Sequence, residues 1–215
     1  MTLLKIAVFT ALLIPSFCFF GSPTANAAVE EASGSASVVQ NTPIDGARLG
    51  DNIHDAVSTL RSHGYQLRPN QETCLNHEDY ATNPCLRKGY GVLIEMNRGN
   101  VKGVITRLRV RHVKDTVYEL FKNTNYAQPG DRNVASLEKQ YKEIYSGSHS
   151  RRNERASLIE LEFIDEKPPA QEGDFGGPYV KVSLDGGGRG GMFESVHLIW
   201  QDLVNVEGLV WWQPR

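Results

Sequence analysis

The stretch Val104–Val113, VITRLRVRHV, decides the fold, because its side chains alternate in character along its whole length. Val104, Leu108 and Val110 fall on one side. Three arginines spaced two apart fall on the other, and they are Arg107, Arg109 and Arg111. A period of two is typical of a strand with one face on a core and one toward solvent. The stretch therefore predicts a half-buried strand that carries a row of positive charge.

The arginine row has two interpretations. Segment 158–164, LIELEFI, predicts a second strand, and its Glu160 and Glu162 lie opposite its apolar residues. If this acidic strand lies beside the basic one, the charges balance within the sheet. Otherwise the row is a docking face for a carboxylate, a phosphate or an acidic partner protein.

The N-terminus has the features of a secretory signal peptide, residues 1–27: a basic start, an apolar run over 6–20 and the cleavage signal Ala25-Asn26-Ala27. The apolar run of about 15 residues is shorter than the roughly 20 that span a bilayer. Lipid attachment at Cys18 is disfavoured, because the bulky Phe17 precedes it. We therefore expect a periplasmic or secreted protein with no transmembrane span in the mature chain.

Two cysteines remain after cleavage, Cys74 and Cys85. An even number in an exported chain predicts a disulfide. The alternative is a zinc site, but only Cys74, His77 and Cys85 are near one another in sequence, and a structural zinc site has four ligands. We therefore expect the disulfide, with no metal and no cofactor.

The periodicity of the chain predicts two helices. The first lies within 44–65, where Asn52 or Asp51 can cap a stripe of apolar residues spaced as on one helix face. The second runs over about 134–146, with Asn133 as its cap. Segment 115–123 is ambiguous between helix and strand. Strands are predicted in the following segments: 90–96, 104–113, 158–164, 179–184, 193–200 and 209–212.

This order of elements predicts an α+β protein, built as two helix-plus-antiparallel-hairpin units packed in an α/β layer fold. Residues 28–43 are small and polar and predict a disordered tether. Residues 44–215 then form a single domain, or two αββ-type units over 44–125 and 131–215. The polar segment 148–155 is expected to be exposed.

The sequence lacks the common catalytic signatures, including G-x-S-x-G, H-E-x-x-H and the phosphate loop. His197, in the middle of a predicted strand, is the candidate for an unrecognised His/acid site. The glycine-rich stretch 186–191 predicts a hairpin loop that presents Arg189 as a contact residue, and Trp212 is a candidate aromatic anchor. A formal net charge of −2 disfavours nucleic acid as a partner.

Segment 44–51, IDGARLGD, is followed by a helix with Ala56, Val57 and Leu60 and then by a hairpin. This arrangement resembles the BamE/SmpA and β-lactamase-inhibitory-protein superfamily over residues 44–113 at best. The chain departs from it at His63-Gly64-Tyr65, where those proteins have an L-G-x-P turn, and in having no convincing lipobox. The resemblance implies helix-then-hairpin units in an exported protein that binds proteins and is not an enzyme.

Together these features predict an exported, non-catalytic binding protein. Its partner would be another cell-envelope protein or an anionic cell-wall component. The alternative is a small periplasmic hydrolase that uses an unrecognised His/acid site.

Overall fold

The structure is a computed structural model, and the described residues are 38–87, 90–101, 103–127, 133–165, 177–186 and 191–200. All of them belong to one compact unit, Ser35–Arg215. Five predicted features lie outside the described residues and stay predictions: the signal peptide 1–27, most of the tether, Arg189, the strand 209–212 and Trp212.

Nine strands among the described residues form one sheet in which every pairing is antiparallel. They are β1 (Tyr65–Leu67), β2 (Leu86–Arg87), β3 (Gly91–Val101), β4 (Val104–Val113), β5 (Thr116–Tyr126), β6 (His149–Arg155), β7 (Leu158–Ile164), β8 (Pro178–Asp185) and β9 (Met192–Trp200). The sheet order is β1-β3-β4-β5-β9-β8-β7-β6, with β2 also paired to β3. The basic strand β4 therefore lies inside the sheet.

This architecture corrects the predicted fold class: the protein is mostly antiparallel sheet, and an α/β layer fold of two helix-plus-hairpin units is wrong. The ambiguous segment 115–123 lies in β5, because pairing with β4 and β9 on both sides outweighs its helical spacing. The polar segment 148–155 contains β6. Its lack of alternation has a simple cause, since an edge strand that is exposed on both sides needs no apolar row.

Four helices and one short 3₁₀ turn occur in the described part of the chain: α1 (Val38–Asn41), α2 (Ile53–Ser62), α3 (Gln71–Leu75), α4 (Val134–Ile144) and the turn Tyr80–Thr82. The predicted cap of α2 is confirmed, because the Asn52 side chain accepts a hydrogen bond from the His54 N–H at 2.9 Å. Asn133 caps α4 in a reciprocal arrangement with Ser136. No helix among these is long and apolar enough to cross a membrane.

One face of the sheet, the inner face, packs with the helices into a single core. The fully buried residues of this core come from both halves of the sheet and from α1, α2 and α4; examples are Ile94, Leu108, Leu120, Leu161 and Leu198 from the strands and Val39, Ile53, Leu60 and Leu137 from the helices. The opposite, outer face has a smaller buried cluster of Val113, Tyr118 and Ile199. The rest of the outer face is the part of the sheet that can present side chains to solvent.

The chain joins this core at α1, within the segment predicted as a tether. Val39 is fully buried, and its N–H donates to the Asp165 carboxylate at 2.9 Å. Residues 38–41 are therefore held against the folded unit by both burial and a charge-assisted hydrogen bond.

Candidate binding surface

Strand β4 has the half-buried form that its alternation predicts. Leu108 and Val110 are buried on the inner face, whereas Arg107 and Arg109 are exposed on the outer face. Arg111 also lies on the outer face, but it is half-buried. The three arginines therefore share one side of the strand and differ in their surroundings.

The predicted charge balance between the arginine row and the acidic strand is wrong. Three strands, β5, β9 and β8, separate β4 from β7, which places the two about 19 Å apart at roughly 4.8 Å per strand. Glu160 and Glu162 on β7 lie instead beside Lys181 on β8, with Nζ–Oε1 distances of 2.7 and 4.0 Å. The arginines of β4 therefore do not pair with these two glutamates.

Arg111 has its own carboxylate partner, Glu119. The Arg111 Nη1 donates to Glu119 Oε2 at 2.8 Å, and Glu119 is only 7% exposed. Glu119 lies directly opposite Arg111, in the same register that pairs Arg109 with Phe121, and the pairing of β4 with β5 shifts by one residue only after it, between Arg111 and His112. Ordinary cross-strand pairing therefore places a buried carboxylate beside the arginine.

His197 on β9 contacts the same carboxylate from the other side. Its Nε2 lies 3.2 Å from Glu119 Oε1, without the alignment of a good hydrogen bond. Burial acts to raise the pKa of Glu119, but the contacts of His197 and Arg111 outweigh it and hold the pKa below its ordinary value. Glu119 is therefore a carboxylate that compensates two basic groups.

Arg109 stacks on an aromatic ring and forms no ion pair with a described residue. Its guanidinium carbon lies 5.0 Å from the centre of the Phe121 ring, which His197 meets edge-on at 5.5 Å from the next strand. Glu95, the residue opposite Arg109 on β3, pairs with Arg68 at 2.9 Å. The positive charge of Arg109 is therefore not neutralised by its nearest carboxylate.

Arg107 forms no ion pair with any described residue, and its cross-strand neighbours, Asn97 and Asn123, are uncharged. Ile105 and Phe193 lie on the same outer face and are 44% and 39% exposed. We use the name Arg107/Arg109 surface for this part of the outer face, which consists of Ile105, Arg107, Arg109, Phe121 and Phe193. It joins two arginines that form no ion pair with a described residue to exposed apolar side chains.

The predicted disulfide between Cys74 and Cys85 is present, with a Cα–Cα distance of 5.6 Å. Both sulfurs are therefore taken, which removes the zinc alternative built on His77. In the described part of the chain no three His, Cys, Asp or Glu side chains gather as a metal site. Tyr80, inside the closed loop, packs against both the main core and the outer cluster.

Three residues at the centre of the sheet were missed by reasoning from the sequence: Phe121, Glu119 and Glu194. Phe121 and Glu119 both belong to the segment whose type was ambiguous, and the signal that could have found them was its enrichment in β-forming residues. Glu194 lies on the inner face and accepts hydrogen bonds from the hydroxyls of Tyr126 and Tyr141. Glu194 follows two apolar residues in its strand, and alternation alone does not predict which residues donate hydrogen bonds to it.

No protein family, no curated protein and no solved structure matches this chain. The resemblance of residues 44–113 to the BamE/SmpA and β-lactamase-inhibitory-protein superfamily therefore stays a prediction. The function must be inferred from the residues of the surface itself.

Proposed function

We propose that this chain is an exported, non-catalytic binding protein that docks an acidic region of a cell-envelope protein on its Arg107/Arg109 surface. The observation that carries the proposal is the pair of exposed arginines on β4, neither of which forms an ion pair with a described residue. Exposed Ile105 and Phe193 flank the pair.

The spacing and the chemistry of the pair suit an anionic protein surface. Residues two apart on a strand have side chains about 7 Å apart, so carboxylates with a similar spacing can meet both guanidinium groups at once. Each guanidinium can bind a carboxylate through two parallel hydrogen bonds. The apolar neighbours add area that a partner can bury, and arginine and aromatic residues are common anchors in interfaces.

Arg111 does not belong to the proposed contact. Its charge is already compensated by Glu119 at 2.8 Å, and recruiting it would leave a buried carboxylate with less support. The docking surface therefore uses two arginines of the row.

Export is supported by the signal-peptide pattern and by the disulfide, because disulfides persist in oxidising compartments. The test is N-terminal sequencing of the protein recovered from the periplasm or the medium. We expect the mature chain to begin at Ala28. A cytosolic protein that retains Met1 would contradict export.

The docking surface is tested with the double variant Arg107→Gln/Arg109→Gln. The matched control is Lys139→Gln/Arg155→Gln, which removes the same charge from exposed positions on α4 and β6. We expect the first variant to lose capture of partners from an envelope extract at low salt, and the control to keep it. Both should unfold at the wild-type midpoint, because exposed charges contribute little to stability.

The captured partner must itself be acidic at the site of contact. Cross-linking followed by peptide mapping should therefore place its linked peptide in a segment rich in Asp and Glu. Unchanged capture by a well-folded Arg107→Gln/Arg109→Gln variant, or a linked segment without acids, would end the proposal.

The hydrolase alternative rests on one observation, the 3.2 Å contact between His197 and Glu119. The surroundings of this pair support a structural role, because Arg111 engages the acid and two rings, Phe121 and Tyr179, pack edge-on against the histidine. The variant His197→Gln tests it. A hydrolytic activity of the wild type that this variant lacks would favour the alternative.

A further inference from the structure

The outer face of the sheet carries opposite charges on two strands that lie at equal distances from β9. Strand β4, with Arg107 and Arg109, lies two strands to one side of β9, and β7, with Glu160 and Glu162, lies two strands to the other side. Each distance is about 10 Å, at roughly 4.8 Å per strand. Strand β9 therefore divides this face into a half with the exposed arginines and a half with the two glutamates.

The registers of the sheet place these arginines and glutamates at the same heights along the strands. The Arg107 row consists of cross-strand neighbours on five adjacent strands: Arg107, Asn123, Ser195, Ser183 and Glu160. The Arg109 row, two residues along each strand, has the same form: Arg109, Phe121, His197, Lys181 and Glu162. A rotation by 180° about β9 therefore exchanges the position of each arginine with that of a glutamate.

We propose that two copies of this chain pair through their outer faces, about a two-fold axis that lies between the sheets and runs along β9. Arg107 of each copy then lies over Glu160 of the other copy, and Arg109 lies over Glu162. Stacked sheets are about 10 Å apart, and arginine and glutamate side chains extended from opposite sides meet across such a gap. Because the symmetry forms each contact twice, the interface contains two ion pairs of each kind.

Charge selects this axis from the other two-fold arrangements of the same face. An axis perpendicular to the strands would place β4 over β4, and hence arginine over arginine. An axis along the strands but centred between β5 and β9 would place Arg109 over Lys181. Like charges that face each other weaken association, whereas the axis along β9 brings opposite charges together.

The apolar side chains of the face also find suitable neighbours. Ile105 and Leu158 are the two ends of a third row and lie over each other in the pair. On the axis, β9 presents Phe193, Ser195 and His197 to their own counterparts, and neither an acid nor a Lys or Arg lies among them. Ile105 and Phe193 are 44% and 39% exposed in one copy, so the pairing removes apolar area from water.

The remaining charges of the Arg109 row are matched as well. Lys181 lies over the ring of Phe121 of the second copy, which is a cation–π arrangement. Lys181 also keeps its contacts with the two glutamates of β7, at 2.7 and 4.0 Å, so these carboxylates are shared between a lysine of their own copy and an arginine of the other. One strand further out, Arg151 of β6 lies over Glu95 of β3.

The face is large enough for a stable dimer. Seven neighbouring strands, from β3 to β6 in the order of the sheet, form it, and the shortest of them have seven residues. Such a face measures about 34 by 24 Å, or roughly 800 Å². This is the area that each partner buries in an interface of standard size, about 800 Å².

The pairing covers the Arg107/Arg109 surface with the glutamates of the second copy. Its consequence for partner binding rests on the proposed function: the second copy and the acidic partner occupy the same arginines and exclude each other. The dimer is then the form that the chain adopts without its partner, and the partner must separate the two copies before it docks.

The first test is sedimentation equilibrium of the purified mature protein. We expect a reversible dimer with a dissociation constant of about 1–100 µM at low salt. Its affinity should fall as the salt rises to about 0.5 M, because the contacts of β4 with β7 are ionic. A wild type that stays monomeric at about 0.5 mM would overturn the proposal.

Charge reversal tests which residues meet. Arg107→Glu/Arg109→Glu and Glu160→Arg/Glu162→Arg should each weaken the dimer by more than about a hundredfold, since like charges then face each other. Mixing the two variants in equal amounts should restore a dimer of one chain of each kind, because every ionic contact between them is again between opposite charges. The control Arg61→Glu/Lys139→Glu reverses as many charges at exposed positions of α2 and α4 and should dimerise as the wild type does.

Milder variants keep the test decisive where a reversal does not fold. Glu160→Gln/Glu162→Gln and Arg107→Gln/Arg109→Gln should each weaken the dimer by about tenfold or more. Unchanged affinity in either of them, or well-folded reversal variants that stay monomeric when mixed, would overturn the pairing.

The dimer and the proposed function fail in different ways. A monomeric wild type that still captures an acidic partner through Arg107 and Arg109 contradicts the dimer alone. Glu160→Gln/Glu162→Gln exposes those arginines, so it should capture the partner at least as well as the wild type does. A wild type that dimerises, together with a monomeric Glu160→Gln/Glu162→Gln variant that captures nothing, contradicts the proposed function alone.

Discussion

The inner and outer faces of the sheet each bury a glutamate, and the two are compensated in different ways. Glu194 on the inner face accepts hydrogen bonds from two tyrosine hydroxyls, and burial together with this carboxylate raises the pKa of Tyr141. Glu119 on the outer face is compensated by Arg111 and His197. On the inner face, which the helices cover, the buried glutamate accepts hydrogen bonds from neutral donors. On the outer face, which meets solvent, the buried glutamate is paired with basic side chains.

The difference explains which arginines are available for binding. On the outer face charge is tolerated, so Arg107 and Arg109 stay exposed without forming an ion pair with a described residue. Arg111 lies at the more buried end of the same row and is matched. Position along one strand, and not residue type, separates a structural arginine from a binding one.

The largest expected difference between the two faces comes from placing the same negative charge on each side of β4 in turn. Leu108→Asp puts a carboxylate on the inner face, where Leu108 is 1% exposed, and we expect a loss above about 4 kcal/mol and no cooperative unfolding. Arg107→Asp, on the outer face, should change stability by less than about 0.5 kcal/mol. Circular-dichroism melts measure both. Equal losses would mean that the two faces do not differ as described.

The disulfide tests how the buried end of the outer face is stabilised. Tyr80, in the loop that the bond closes, packs against the outer cluster of Val113, Tyr118 and Ile199. We expect Cys74→Ser/Cys85→Ser to lose about 2–3 kcal/mol, since the bond closes a short loop. Urea unfolding measures the loss. Thiol titration of the denatured, unreduced wild type should find no free thiol in the mature chain, and two would contradict the bond.

Glu119→Gln tests how the outer face compensates its acid. Removing the charge leaves Arg111 and His197 without their shared partner, and we expect a loss of about 1–2 kcal/mol near neutral pH. Glu160→Gln is the control, because its pair with Lys181 is more exposed and should contribute less than about 1 kcal/mol.

The same variant carries a pH signature. The folded pKa of Glu119 lies below its usual value of 4.5, so its contribution to stability is complete above that pH and declines as the pH falls toward the folded pKa. The difference in free energy of unfolding between wild type and Glu119→Gln should therefore stay constant from pH 7 to about pH 5 and become smaller below it. A gap that widens in acid would show that the charge is not stabilising.

The smallest expected effect concerns Arg109. Its stack on Phe121 should contribute about 0.5 kcal/mol, the value typical of exposed cation–π pairs. Arg109→Lys should keep most of that stability and weaken partner capture, because lysine lacks the planar fork of donors. If capture by Arg109→Lys equals that of the wild type, bidentate recognition at this position is wrong.

The sequence predicts those parts of the fold that depend on near neighbours. The caps at Asn52 and Asn133, the alternation of β4 and the disulfide are local patterns, and all four are confirmed. The order of strands is not local. Alternation tells which face a residue occupies but not which strand lies beside it. For that reason the sequence allows Glu160 and Glu162 to pair with arginines from which three intervening strands separate them.

The candidate surface was likewise predictable only where it depends on local sequence pattern. Arg107 and Arg109 are visible in the sequence, because their spacing alone puts them on one side of a strand. Their distinction from Arg111 is not visible, since it depends on which residue of β5 lies opposite each arginine: Glu119 faces Arg111, whereas Phe121 faces Arg109. The position of Phe121 was not predicted, because its segment has helical spacing. Pairing with β4 and β9 outweighs that spacing and makes the segment a strand.

The sheet order also has a consequence for the route by which the chain folds. Strands β3, β4 and β5 follow one another in space as they do in sequence, and so do β6, β7, β8 and β9, so each set can form by hairpin steps between neighbours. The seam between β5 and β9 joins residues as far apart as Glu119 and Ile199, and closing it carries the largest loop entropy in the described sheet. Phe121 and His197 meet across this seam. Arg107, Arg109 and Phe121 already share the pairing of β4 with β5, whereas Phe193 of β9 joins the Arg107/Arg109 surface only when this seam closes.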